Sequence, residues 1–195
     1  MAGRKGRRGA SGRADDPTAN GGQAIDPDAD PEVLARTIAL RKLAAAPQTR
    51  AQLDEAMRRR GVPEGVRAEV LERFSDVGLI DDAMFAKMWV ESRHAGRGLG
   101  KKALAHELRR RGVESDVVDE AVAELPADRE EATARALVAR RLPATRGLDP
   151  AARTRRLAGM LARKGYPGGL SFRVVREALE SEGVPDSALP ADPDW

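Results

Sequence analysis

The sequence predicts an all-α protein: three three-helix repeats in tandem, stacked into an elongated, curved array. Three observations point there. Aromatic residues make up 3% of a chain that is 41% hydrophobic, so Leu, Val, Met and above all Ala must do the packing, which suits closely approaching helices better than a β-sandwich. No β-branched run of strand length stands out. The chain also repeats itself. Leu53-Asp-Glu-Ala-Met57-Arg-Arg-Arg-Gly61-Val62 aligns with Leu104-Ala-His-Glu-Leu108-Arg-Arg-Arg-Gly112-Val113 and with Leu157-Ala-Gly-Met-Leu161-Ala-Arg-Lys-Gly165-Tyr166. The three glycines stand 51 and 53 residues apart. Val66, Val117 and Leu170 then sit five residues past the glycine, Val70, Ala121 and Val174 nine, and Leu71, Val122 and Val175 ten. Three blocks in phase define an internal repeat.

Residues 1–30 come first, a basic stretch (Arg4 to Arg13) followed by an acidic one (Asp15 to Asp30), with little apolar content. Such a segment cannot bury enough surface to offset its ordering entropy and is expected to be a disordered tail. The first repeat spans 31–81, with Leu34, Ile38 and Leu43 marking its first helix. The second spans 82–127, opened by Met84, Phe85, Met88 and Trp89. The third spans 128–185, where Leu137 and Val138 mark the corresponding helix. In every unit, Leu and Met or Leu at i and i+4 give the second helix one apolar face. Arg and Lys end that helix, favourable at the negative end of its dipole, and Gly61, Gly112 or Gly165 closes it in the left-handed conformation. Val62, Val113 or Tyr166 can then fold back as a hydrophobic contact. A short third helix follows, with start signals at Pro63 and Ser115-Asp116. A unit of about 50 residues is marginal alone, so neighbours are expected to share a core, nine helices in all. Residues 186–195, with Pro190 and Pro193, are expected to fray.

Composition removes several classes of function. With no cysteine there is no disulfide, thiolate metal site or thiol nucleophile. No apolar run reaches the roughly 18 residues of a membrane span, and the basic N-terminus lacks a following apolar region, so a cytoplasmic location is expected. Net charge is only +3 although 33% of residues are charged, and the sign is unevenly spread. Arg93 to Arg111 holds seven Lys/Arg against Glu107, and Arg135 to Lys164 holds nine against Asp149. Such stripes suit an anionic partner.

Local motifs yield no catalytic constellation. Ala95-Gly96-Arg97-Gly98-Leu99-Gly100-Lys101-Lys102 departs from a phosphate loop, which needs Gly at position 95, Ser or Thr at 102 and a preceding strand. It reads as a flexible, basic interhelical loop. His94 and His106 have no companion ligands for a metal and read as surface or loop-edge residues. Asp81-Asp82 precedes an apolar helix and reads as a cap. Trp89, with Phe85, Met84 and Met88, could stack bases, but its helical spacing reads as buried core. No cofactor, metal or enzymatic activity is expected.

The stretch Leu79-Ile-Asp-Asp-Ala-Met-Phe85-Ala-Lys-Met-Trp89-Val-Glu-Ser-Arg93 resembles the signature of the RecX family, as do the glycine-containing basic loop after it, Leu104, Glu107-Leu108 and Gly112-Val113. The resemblance covers Glu32 to Val184. It departs at Ala46 to Arg50, a loop more basic in the family, and at Pro143 to Pro150, a longer linker into the third repeat. It implies tandem three-helix repeats and a protein, separately expected to be monomeric, that binds the RecA–DNA filament in its helical groove. There it would limit filament growth, ATPase and strand exchange, with single-stranded DNA met directly or through the filament. The expected contact residues are Arg93, Arg97, Lys101, Lys102, Arg109 and Arg110 in the second repeat, with Arg140, Arg141, Arg155, Arg156, Arg163 and Lys164 in the third. A basic repeat protein that binds nucleic acid without a recombinase fits the same stripes and would show steep salt dependence.

Overall fold

A computed structural model describes residues 30–189. Almost all of the expected N-terminal tail and most of the C-terminal one lie outside these residues. Among the described residues there are nine α-helices and no strand: α1 (Pro31–Ala45), α2 (Arg50–Arg58), α3 (Glu64–Asp76), α4 (Asp82–Arg97), α5 (Lys101–Arg109), α6 (Ser115–Ala123), α7 (Ala127–Arg141), α8 (Pro150–Arg163) and α9 (Gly168–Ser181). They form three units, α1–α3, α4–α6 and α7–α9.

The second helix of each unit is built as its sequence dictates. Leu53 and Met57, Leu104 and Leu108, and Leu157 and Leu161 are completely buried. Gly61, Gly112 and Gly165 have φ of 77°, 77° and 85°. The residue after each glycine donates its N–H back to Met57, Leu108 or Leu161, at 3.2, 3.3 and 3.2 Å, and buries its own side chain. That is a Schellman closure with its apolar contact, three times over. Asp30 and Asp149 cap α1 and α8, accepting the N–H of Glu32 and Ala152 at 2.9 Å each, and Pro31 and Pro150 hold the first helical position. Ser115 is the first residue of α6 and makes no side-chain cap bond; Glu114 stands at the cap position. Pro143 to Pro150 is no plain linker, and it lies inside the third unit. Leu142–Thr145 continue α7 as a 3-10 turn that buries Leu142 and Thr145 before α8 starts. At the C-terminal end Asp186–Ala188 form another such turn and Leu189 is buried in the third core.

Neighbouring units do not pool their apolar side chains. The three cores are separate clusters, centred on Leu53, Met57 and Phe74, on Leu104, Leu108 and Val118, and on Leu157, Leu161 and Val175. Each unit already turns its apolar stripes inward, which leaves glycine, alanine and backbone polar groups at the seams. There the glycine turn ending one second helix sits on the N-terminus of the second helix of the unit before it. At the first seam, Thr49 Oγ1 donates to the Arg111 carbonyl at 2.7 Å while accepting the Gln52 N–H, and the Arg50 N–H reaches Asp82 Oδ1 at 2.9 Å. At the second, Gly100 N–H donates to the Lys164 carbonyl at 2.8 Å, Lys102 N–H to the Gly165 carbonyl at 3.2 Å, and Lys101 N–H to Glu130 Oε1 at 2.9 Å. The two seams are quasi-equivalent. A carbonyl just before the glycine meets the cap residue, and a carboxylate from the first helix of the next unit accepts the first helical amide. α8 needs neither, since Asp149 caps it and Pro150 has no N–H.

This geometry corrects four expectations. The glycine-rich segment after α4 is not a flexible loop: Gly98, Leu99 and Gly100 are buried against the third unit, and a Cβ on Gly100 would lie 2.8 Å from the Gly165 carbonyl oxygen. His94 is not at the surface but 2% exposed, its Nδ1 2.8 Å from the Leu99 carbonyl and its Nε2 2.9 Å from the Thr133 hydroxyl of α7. Asp81 caps α4 through the Met84 N–H at 2.7 Å, whereas Asp82 is spent on the seam. Of the apolar residues opening α4, Phe85 is buried, Trp89 half-buried, and Met84 and Met88 exposed.

Two predictions follow from the second seam. Gly61 and Gly165 share the left-handed conformation, but a Cβ on Gly61 meets nothing within 4 Å, while one on Gly165 would stand 2.3 Å from the Ala103 backbone nitrogen. Gly61→Ala should therefore cost about 1–2 kcal/mol of conformational strain, and Gly165→Ala roughly 1–3 kcal/mol more for the overlap. Urea unfolding midpoints measure the gap, and equal costs would show that the seam is loose. Tyr166, 3% exposed with its hydroxyl donating to the Gly98 carbonyl at 3.1 Å, is held by burial, and secondarily by Glu130, at a pKa of about 12 against an ordinary 10. The folded chain then keeps a proton that the unfolded chain loses, so stability contributed by Tyr166 falls as pH rises from 10 towards 12. As Tyr166 is the single tyrosine, phenolate absorbance should titrate late in the native protein and normally in urea. Tyr166→Phe should remove that part of the alkaline loss.

Candidate partner-binding surface

The seams order the cationic side chains. Because the end of α8 meets the start of α5, and the end of α5 the start of α2, the three second helices run head to tail in one direction. Each C-terminal end is basic: Arg58, Arg59 and Arg60; Arg109, Arg110 and Arg111; Arg163 and Lys164. Positive side chains at these ends oppose the negative end of the helix dipole, and the exposed stems keep their heads in water.

The sequence-predicted contact residues fall into two groups. Several are engaged within the protein. Arg97 pairs with Glu107 at 3.0 Å, Arg109 with Asp119 at 2.7 Å, and Arg93 lies 3.9 Å from Glu107. Lys164 Nζ donates to the Arg97 carbonyl at 2.6 Å. Lys102, Arg110, Arg140, Arg141, Arg155, Arg156 and Arg163 are exposed and make no ion pair among the described residues. Lys101 is half-buried, its backbone taken up by the seam. The second seam brings Arg97, Lys101 and Lys102 beside Arg163 and Lys164, joining the two stripes. Arg109 and Arg110 lie at the other end of α5, by the first repeat. Three cations of the Arg135–Lys164 stripe are neutralised: Arg135 pairs with Glu131 and Glu177, and Arg146 and Arg153 both pair with Glu182, whose carboxyl is held below the ordinary range chiefly by Arg153.

The contact residues expected from the sequence include none from the first repeat, and Arg111, counted in its stripe, is not named among them. The signal was there, since the Arg-Arg-Arg triplet of α5 recurs at the end of α2. Arg111 lies over the Trp89 ring, 3.7 Å from its centroid, and Arg93 at 4.1 Å. Trp89 also stacks on Phe85, with centroids 5.7 Å apart, and its indole N–H donates to Glu107 at 3.0 Å. Half-buried Trp89 is thus a support for guanidinium groups at the edge of the second core. Among the described residues no group of His, Asp and Glu could hold a metal ion, and no helix is long and apolar enough to cross a membrane.

Comparison with known proteins agrees in all three units. Family models described as the first, second and third three-helix domains of RecX match residues 35–74, 81–122 and 128–175. A regulatory protein RecX of Streptomyces coelicolor is 60% identical over 158 residues, covering 81% of this chain and 84% of that one. One from Thermobifida fusca is 56% identical over 177 residues, covering 91% and 93%. The crystal structure of RecX from Lactobacillus salivarius superposes with a TM-score of 0.71 over 75% of this chain and 96% of that chain at 16% identity, a likeness of fold.

Proposed function

The chain belongs to the RecX family, and from that premise we propose that it is a regulator of a RecA-type recombinase. It binds the recombinase–DNA filament as a monomer and limits its extension, ATPase and strand exchange. It has no catalysis of its own. The observation that carries this reading is the head-to-tail row of second helices, each ending in exposed cations, repeated at each unit. A filament is itself a repeating surface, and several weak contacts borne on one scaffold add through effective concentration. The unpaired cations are the expected contacts, Lys102 and Arg110 on α5 and Arg155 and Arg156 on α8, since they have no partner to give up on binding.

The test is recombinase ATPase on single-stranded DNA against increasing protein. Lys101 is left alone because a carboxylate there would face Glu130. The pairs Lys102→Glu with Arg110→Glu, and Arg155→Glu with Arg156→Glu, should keep the helical content and melting temperature. Each pair should raise the half-inhibiting concentration about tenfold, equivalent to about 1.4 kcal/mol, with a larger loss at low salt, where screening is least. Wild-type inhibition by both pairs would show that these cations only solvate helix faces. Failure of the wild type to inhibit, alongside salt-dependent nucleic-acid binding, would favour a protein that binds nucleic acid without the recombinase.

A further inference from the structure

The seam between the first and second units concentrates more positive charge than it neutralises. Trp89, Arg93, Arg97, Arg110 and Arg111, with Gln52 from α2, line a solvent-open cleft of about 380 Å³. Its one carboxylate, Glu107, is already occupied by the Trp89 indole and by Arg97. Arg110 and Arg111 make no ion pair among the described residues, and Arg111 feels Glu107 only as a weaker attraction than its burial and the like charge of Arg93. Desolvation, and then the like charge of Arg93, lower the pKa of Arg111, so its charged form is under-compensated where it stands. A second hollow of equal volume opens beside the first, sharing Gln52, Arg110 and Arg111 and reaching Lys42 and the paired Glu55 and Arg59 of the first unit, so that it too holds more cations than carboxylates.

We propose that this cleft is a phosphate-binding site that takes consecutive phosphodiester groups of a single-stranded nucleic acid. Arg93 and Arg111, braced on the Trp89 ring, and Arg110 at the wall between the two hollows would be its principal donors. A guanidinium presents a planar fork of N–H groups that matches the oxygens of a phosphate, and the ring holds two of these forks before a ligand arrives. Two basic hollows in succession suit a chain of regularly spaced charges better than one small anion. Arg93, Arg97, Arg110 and Arg111 belong to the stripe expected from the sequence; the fold adds the Trp89 support, Gln52 of the first repeat and the second hollow beside them. The site rests on the family reading only for what delivers the strand, not for the chemistry of binding.

The experiment needs no recombinase. Of the chain's two tryptophans, Trp195 is replaced in a Trp195→Phe background, leaving Trp89 as the only indole. Its emission is followed while adding a short oligothymidylate, an abasic oligodeoxyribose phosphate of the same length, pyrophosphate, or an oligoglutamate. Both phosphodiester oligomers should perturb Trp89, with affinity falling steeply as salt rises. Arg111→Gln and Arg93→Gln should each weaken binding about tenfold, the cost of one charge-assisted contact, with helical content and melting temperature checked. Arg111→Lys, which keeps the charge and loses the fork, should fall between. Saturation by pyrophosphate with no response to the oligomers would assign the cleft to a small phosphate and overturn the strand. Equal binding of oligoglutamate would overturn phosphate. Oligomer binding that leaves Trp89 and both glutamine variants unaffected would place nucleic acid elsewhere. A recombinase assay on the same variants separates this outcome from the proposed function: binding loss with inhibition intact, or the reverse, identifies which of the two has failed.

Discussion

A glycine turn seated on the N-terminus of another helix is the contact on which the rest of this structure depends. It is made twice, by Gly112 against Ala51 and by Gly165 against Ala103, where an added Cβ would come within 2.3 Å of the neighbour. So close an approach brings backbone groups of the two units within hydrogen-bonding reach, and they do much of the joining. Hydrogen bonds of that kind are directional and register-specific, which cores pressed face to face are not. The three cores stay separate. Each unit satisfies its own apolar residues, and the seams fix how successive units are placed. The carboxylates of Asp82 and Glu130 complete the arrangement, each accepting an amide that a helix start would otherwise leave unsatisfied.

The same contact organises the charge. Head-to-tail second helices place the negative end of one dipole against the positive end of the next, and the basic ends sit at the seams. Of the cations near the seams, Lys164 is tied to the preceding unit by the Arg97 carbonyl, and Arg111 rests on Trp89 of its own unit while its backbone carbonyl accepts the Thr49 hydroxyl of the first. Those further along α8 stand free on one unit. A partner would meet rigidly placed positive groups at intervals set by the repeat, with longer, freer side chains between them.

Much of this was legible because it is local. The Leu/Met pairs, the closing glycines and the residue folded behind each glycine specify their roles within ten residues of sequence. The repeat then carries that reading through the chain. What escaped depends on distant backbone. Gly98 and Gly100 looked like a loose loop because composition reports flexibility in isolation and not the carbonyls of Lys164 and Gly165 that lie across them. His94 looked exposed because its partner Thr133 is 39 positions away. The stripes looked uniformly available because Asp119 and Glu182, which neutralise Arg109, Arg146 and Arg153, are on other helices. Trp89 was read from helical spacing as core, yet it stands at the core's edge, where the C-terminal turn of α5 and its own helix bring two guanidinium groups over it.

The start of α8 has a further consequence. In α2 and α5 the first helical residue, Arg50 or Lys101, offers an amide that the following unit accepts. In α8 that residue is Pro150, which has no such proton, and Asp149 has already closed the turn. A fourth unit could not dock there by the means that hold the second and third. One proline thus withdraws, at the third unit's end of the ladder, the amide by which each earlier unit grips its successor.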